Sequence, residues 1–128
     1  MKTLACILML MIVLSLVTAC GGTSTPADLS ANRVHTVGAF FSPTAITIKK
    51  GTTIIFIDDA NNGALHILVI GQYAQQTTEQ GAPDFGGYSG TRIDAGDTWT
   101  TPPWNIAGTF HVTCTVHPAM NLTVTVTG

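Results

Sequence analysis

Apolar and polar residues alternate in short runs along most of this chain, with the period of a β-strand. The clearest case is C-terminal, where Leu122, Val124 and Val126 interleave with Thr123, Thr125 and Thr127. Similar runs, enriched in β-branched residues and broken by Gly, Pro, Asn and Asp clusters, predict strands over Arg33–Ala39, Ala45–Lys49, Thr53–Ile57, Leu65–Ile70, Asp97–Thr101, Thr109–Thr115 and Leu122–Thr127. A further short strand is expected near Thr91–Asp94. No helical periodicity of useful length follows the N-terminal segment. Seven to eight strands in roughly 95 residues predict an all-β fold, an antiparallel Greek-key β-sandwich. The stretch Gly71–Gly90, rich in Gln, Gly and Thr, interrupts the pattern as a long connection. It has room for a helical turn around Ala74–Glu79, and it could bring Tyr73, Phe85 or Tyr88 to a partner surface.

The N-terminus is different: Lys2 precedes an almost unbroken apolar run from Leu4 to Val17. That run is shorter than the roughly 18 to 20 residues a bilayer-spanning helix requires, so it reads as a signal peptide covering residues 1–19. Val17, Thr18, Ala19 and Cys20 resemble a bacterial lipobox, which makes Cys20 the lipid-modified first residue of the mature chain. Residues 20–32, with Gly21, Gly22, Ser24, Pro26 and Ser30, form a flexible tether, and the folded domain occupies residues 33–128. The expected location is the periplasm or the outer face of the cytoplasmic membrane, lipid-anchored.

Only 9% of the 128 residues are charged and the formal net charge is −2. Five Lys and Arg against seven Asp and Glu leave no basic face for phosphate, which excludes nucleic acid as a partner. Any docking surface is therefore expected to be neutral or apolar. Cysteine usage is more informative. Cys6 leaves with the signal and Cys20 carries lipid, so the mature domain keeps one thiol, Cys114, and one thioether, Met120. An exported thiol without a disulfide partner oxidises unless it is buried or held by a metal.

Between these two sulfurs the chain reads Cys114, Thr115, Val116, His117, Pro118, Ala119, Met120. Counting alternation back from Cys114 puts Val112 and Phe110 on its core-facing side and His111 and Thr113 on the outside. Pro118 ends the strand, and the turn that follows folds His117 and Met120 back toward the thiol. Thiolate, imidazole and thioether together form a soft donor set that selects copper. A redox-active site of this kind needs a second imidazole, and His66, at a strand start after the turn Asp59–Gly63, is the best placed. His35 lies within the opening strand and His111 on the outer face, so both are weaker choices. Trp99 and Trp104 are expected in core or edge packing.

With these residues in view, the chain resembles the cupredoxins, the blue-copper family that includes plastocyanin, amicyanin and auracyanin. The likeness spans about Ala39 to Gly128: Phe41, Ser42 and Pro43 before a strand, the turn Lys49, Lys50, Gly51, the Asp/Asn-rich loop before His66, and Gly108, Thr109, Phe110 leading to Cys114. The spacing of Cys114, His117 and Met120, with Pro118 directly after His117, is similar to the short ligand loop of amicyanin. The resemblance implies one type 1 copper ion with His66, Cys114 and His117 equatorial and Met120 axial. Many family members carry Asn after the first histidine, tying the two ligand loops; here that position is Ile67, leaving Asn61, Asn62 or Asn121 as alternative ties.

The implied function is that of an electron carrier, not an enzyme, acting as a monomer. The electron would leave through His117 and an apolar patch of Val116, Pro118 and Ala119. Its partners would be redox proteins of a membrane electron-transport chain, met near the lipid anchor. A copper-binding module for storage, delivery or tolerance is the alternative.

Overall fold

The computed structural model describes residues 32–61, 64–73 and 78–128. The signal peptide, Cys20 and nearly all of the tether lie outside these residues, as do Asn62 and most of the expected helical turn around Ala74–Glu79. Among the described residues nine strands form two sheets: β1 Arg33–Val37, β2 Phe40–Ser42, β3 Ala45–Lys49, β4 Ile55–Asp58, β5 His66–Ile70, β6 Thr91–Ile93, β7 Thr98–Thr100, β8 Gly108–Cys114 and β9 Asn121–Thr127. No α-helix occurs among the described residues.

One sheet has the order β2-β1-β4-β7 and the other β3-β9-β8-β5-β6. The sandwich is as expected, but its sheets are mixed. β1 runs parallel to β4, and β3 parallel to β9. Both parallel pairs arise because the chain crosses between the sheets after β2 and again after β3. Strand partners can then run in the same direction without a hairpin joining them. The additional strand, β2, comes from a tight turn at Gly38 and Ala39, where Gly38 takes a φ of 59° that glycine adopts freely. This folds Phe40–Ser42 back onto β1, with Val37 opposite Phe40.

Alternation decides which residues are inside. Ile46 and Ile48 of β3 face the core and pair with Val124 and Val126 of β9, which are buried on the same face. Each such side chain contributes about 1.5–3 kcal/mol by leaving water. The aromatic centre of the core is Phe56, with Phe41, Phe85 and Trp99 at ring-centroid separations of 5.8, 6.2 and 6.0 Å. Trp104 is fully buried, and its Nε1 donates to Thr101 Oγ1 at 3.2 Å.

The long connection is the main departure from the sequence reading. Phe85 does not face a partner: it is buried, edge-on to Trp99 at 4.8 Å and to Trp104 at 6.1 Å. Its neighbour Gly90 lies so close to β5 that a Cβ there would meet Leu68 O at 2.7 Å and Val69 Cγ1 at 2.7 Å. At Gly90 the connection therefore lies tight against β5, and through Phe85 it contributes to the core, leaving Tyr88 79% exposed. Truncating a core Phe removes both its transfer free energy and its packing, so Phe85→Ala should cost about 3–5 kcal/mol of stability. Tyr88→Ala should stay within about 0.5 kcal/mol. Urea unfolding of the two variants checks the contrast.

Candidate metal centre

Register brings the key residues together. In the antiparallel pair of β5 and β8, Leu68 lies opposite Cys114. Residues two apart on a strand share a face, so His66 points to the same interior side as Leu68 and therefore as Cys114. His66 and Cys114 are both fully buried. The loop after β8 then turns back: Met120 N–H donates to His117 O and Cys114 N–H donates to Met120 O, each at 3.2 Å. Closing this turn places Ala119 at a φ of 69°, a left-handed conformation rare outside glycine.

The result is a compact donor cluster. Cys114 Sγ lies 3.7 Å from His66 Nδ1 and 3.7 Å from His117 Nδ1. The two imidazole rings are 4.9 Å apart between centroids, and all three donor atoms lie within 4.8 Å of one another. Metal bonds of about 2.0–2.1 Å to imidazole and about 2.3 Å to thiolate, as zinc makes them, opened to about 120°, separate nitrogen from sulfur by about 3.8 Å. The cluster is thus already spaced for one ion between its donors. Burial lowers the pKa of His66, with His117 acting in the same direction and Asp58 opposing both. The neutral ring is the form that can coordinate.

Met120 is buried in the same core cluster as Cys114. Its carbonyl also accepts from Thr113 Oγ1 at 2.9 Å. Thr113 is therefore buried and not on the solvent side as alternation alone suggests, because the returning loop covers it. The tie between the ligand loops is made by the main chain: Thr115 N–H donates to Ile67 O at 2.9 Å. Asn121 Oδ1 accepts from Tyr73 N–H at 3.3 Å and so ties the long connection to β9. Asn61 is exposed.

His35 and His111 are elsewhere engaged. His35 Nδ1 is 3.3 Å from Asp59 Oδ1. His111, more enclosed than a solvent-facing strand residue, meets Glu79 twice at 2.7 Å, through its ring and through its backbone N–H. Val116 is 42% exposed, Pro118 and Ala119 are exposed, and His117 is half-buried between them and Cys114.

One residue at the site was not anticipated. Asp58 is buried at the end of β4, with Oδ2 3.8 Å from His66 Nε2. It continues the inward phase of Phe56, two residues earlier. The expected strand ended at Ile57, one residue short of Asp58 and the turn Asp59–Gly63; extending the alternation by one residue would have found it.

No protein-family model and no curated protein sequence matches the chain. Solved structures do. A purple cupredoxin from Nitrosopumilus maritimus is 17% identical at a TM-score of 0.56, covering 74% of this chain and 98% of that one. Amicyanin from Paracoccus versutus is 21% identical at a TM-score of 0.57, covering 81% of this chain and 86% of that one. A copper-containing nitrite reductase from Thermus scotoductus also matches, at 21% identity and a TM-score of 0.57, over 75% of this chain and 22% of the reductase. These likenesses establish a cupredoxin-type fold.

Three of these side chains, His66, Cys114 and His117, could hold a metal ion. In a metal titration followed by native mass spectrometry, His35→Ala and His111→Ala should each take up a single ion as the parent chain does. His66→Ala and Cys114→Ser should lose it.

Proposed function

We propose that this chain is an exported, membrane-anchored electron carrier holding one copper ion at His66, Cys114, His117 and Met120. The observation that carries the reading is the convergence of one thiolate and two imidazoles, two of the three fully buried, with the third reaching the surface. The donor chemistry fits copper: thiolate and thioether favour Cu(I), and imidazole serves both oxidation states. Bound copper would supply a one-electron Cu(II)/Cu(I) couple. Similarity in fold to a purple cupredoxin and to amicyanin supports the same choice.

The chain's own residues supply three further properties. Cys114 sits in a seven-residue strand between β5 and β9, so the sulfur has little freedom to move when charge changes. Met120 is buried, its main chain held by bonds to Cys114 and His117, and its thioether would complete the donor set. His117, flanked by exposed Val116, Pro118 and Ala119, offers the path to a partner through a small neutral patch. Small patches of this kind suit brief docking and fast release. Anchoring through Cys20 would confine the carrier beside membrane-bound redox partners and raise its effective concentration there.

Copper titration of the metal-free protein tests the site. A single equivalent of Cu(II) should generate an intense thiolate charge-transfer band in the visible spectrum, and Cys114→Ser should abolish it. Slow loss of that copper to a mild chelator is expected of a carrier; rapid loss would place the protein in copper delivery instead. For the anchor, mass spectrometry of membrane fractions should find a diacylglycerol-modified N-terminal cysteine. Cys20→Ala should prevent that modification and leave an uncleaved leader.

A further inference from the structure

The geometry points to Asp58, held by Thr36, as the positioning residue for His66. Its carboxylate keeps the imidazole as the Nε2–H tautomer with Nδ1 bare toward Cys114, and biases the centre toward its divalent state. This rests on the reading of His66 as a copper ligand.

Three strands contribute. On β4, Phe56 and Asp58 face inward; on β1, Val34 and Thr36 do; on β5, His66 and Leu68 do. Thr36 lies beside Asp58 in the parallel ladder, and its Oγ1 donates to Asp58 Oδ1 at 2.8 Å. The main chain of Asp58 is fixed on both sides, donating to Asp97 O and accepting from Gly96 N–H, each at 2.9 Å. The second carboxylate oxygen is thereby directed across the sandwich to His66 Nε2, 3.8 Å away, while His66 Nδ1 faces Cys114 Sγ at 3.7 Å. Thr36, Asp58 and His66 are all buried, so their relative positions are set by the two sheets and not by solvent.

An imidazole that binds metal through one nitrogen needs its proton on the other. A carboxylate at that second nitrogen fixes the tautomer and the ring orientation, and it makes the ligating nitrogen more basic. A fixed negative charge in a poorly polarisable interior also favours the more positive ion. Both effects strengthen Cu(II) binding more than Cu(I) binding and lower the reduction potential. The 3.8 Å separation is within ion-pair reach.

The test has two arms. In the metal-free protein, ring-nitrogen NMR should find His66 as the Nε2–H tautomer, and Asp58→Leu or Thr36→Val should shift it toward a mixture. In the copper-loaded protein, Asp58→Asn should weaken Cu(II) binding about 10-fold or more relative to Cu(I). That raises the potential by about 59 mV for each factor of ten. Asp94→Asn, which alters an exposed carboxylate, should move neither readout. An Nδ1–H tautomer in the parent chain would overturn the proposal without any variant being needed. So would a folded Asp58→Asn protein with the parent's potential. If the parent chain took up no copper, the carrier reading would fail, while the tautomer in the metal-free protein would still decide the role of Asp58.

Discussion

The antiparallel ladder between β5 and β8 holds the centre together, because its register sets Leu68 opposite Cys114 and so turns His66 and the thiol to one interior face. A slip of one residue would send one of them outward, since neighbouring side chains on a strand point to opposite sides. Several contacts prevent that slip. β8 is paired along its other edge with β9, the bond from Thr115 N–H to Ile67 O extends the ladder past Cys114, and Val112 and Leu122 are opposed and buried. The precision of the donor cluster is thus a property of the sheet. Only His117 and Met120 depend on loop geometry.

That loop is held by its own economy. Six residues leave β8 and return to β9, closed by bonds between Cys114 and Met120 and between His117 and Met120. Ala119 adopts a left-handed conformation that costs an L-residue about 1–2 kcal/mol. The compensation comes from the burial of Met120 and from the hydroxyl of Thr113 on its carbonyl. A turn tightened in this way leaves His117 half-buried, near enough to the surface to be reached by a partner and near enough to the thiol to share an ion with it.

The interior of the site is costly to build. A buried carboxylate, a buried imidazole and a buried thiol each lose hydration, and apolar packing alone would not retain them. They persist because the two sheets present complementary groups: Thr36 and Asp58 from one, His66 and Cys114 from the other. Phe85, contributed by the long connection, packs against Phe56 and Trp99 and completes the core two residues along β4 from Asp58. The connection is therefore part of the framework of the centre as much as a surface feature.

The amino-acid sequence by itself marked every described strand but β2, because a period of two is a local signal, and it marked the candidate donors, because a thiol, an imidazole and a thioether at short spacing in Cys114, His117 and Met120 are also local. It pointed to His66 through its place after a turn. Which strands pair in parallel, that Thr113 is covered, that Phe85 lies in the core, and that Asp58 stands behind His66 were decided only when the sheets came together. Each depends on residues from distant parts of the chain sharing an interior, and local pattern carries no measure of what will lie across from it. The tie between the ligand loops belongs to the same class: it runs through the backbone of Thr115 and Ile67, and a main-chain bond leaves no trace in side-chain identity.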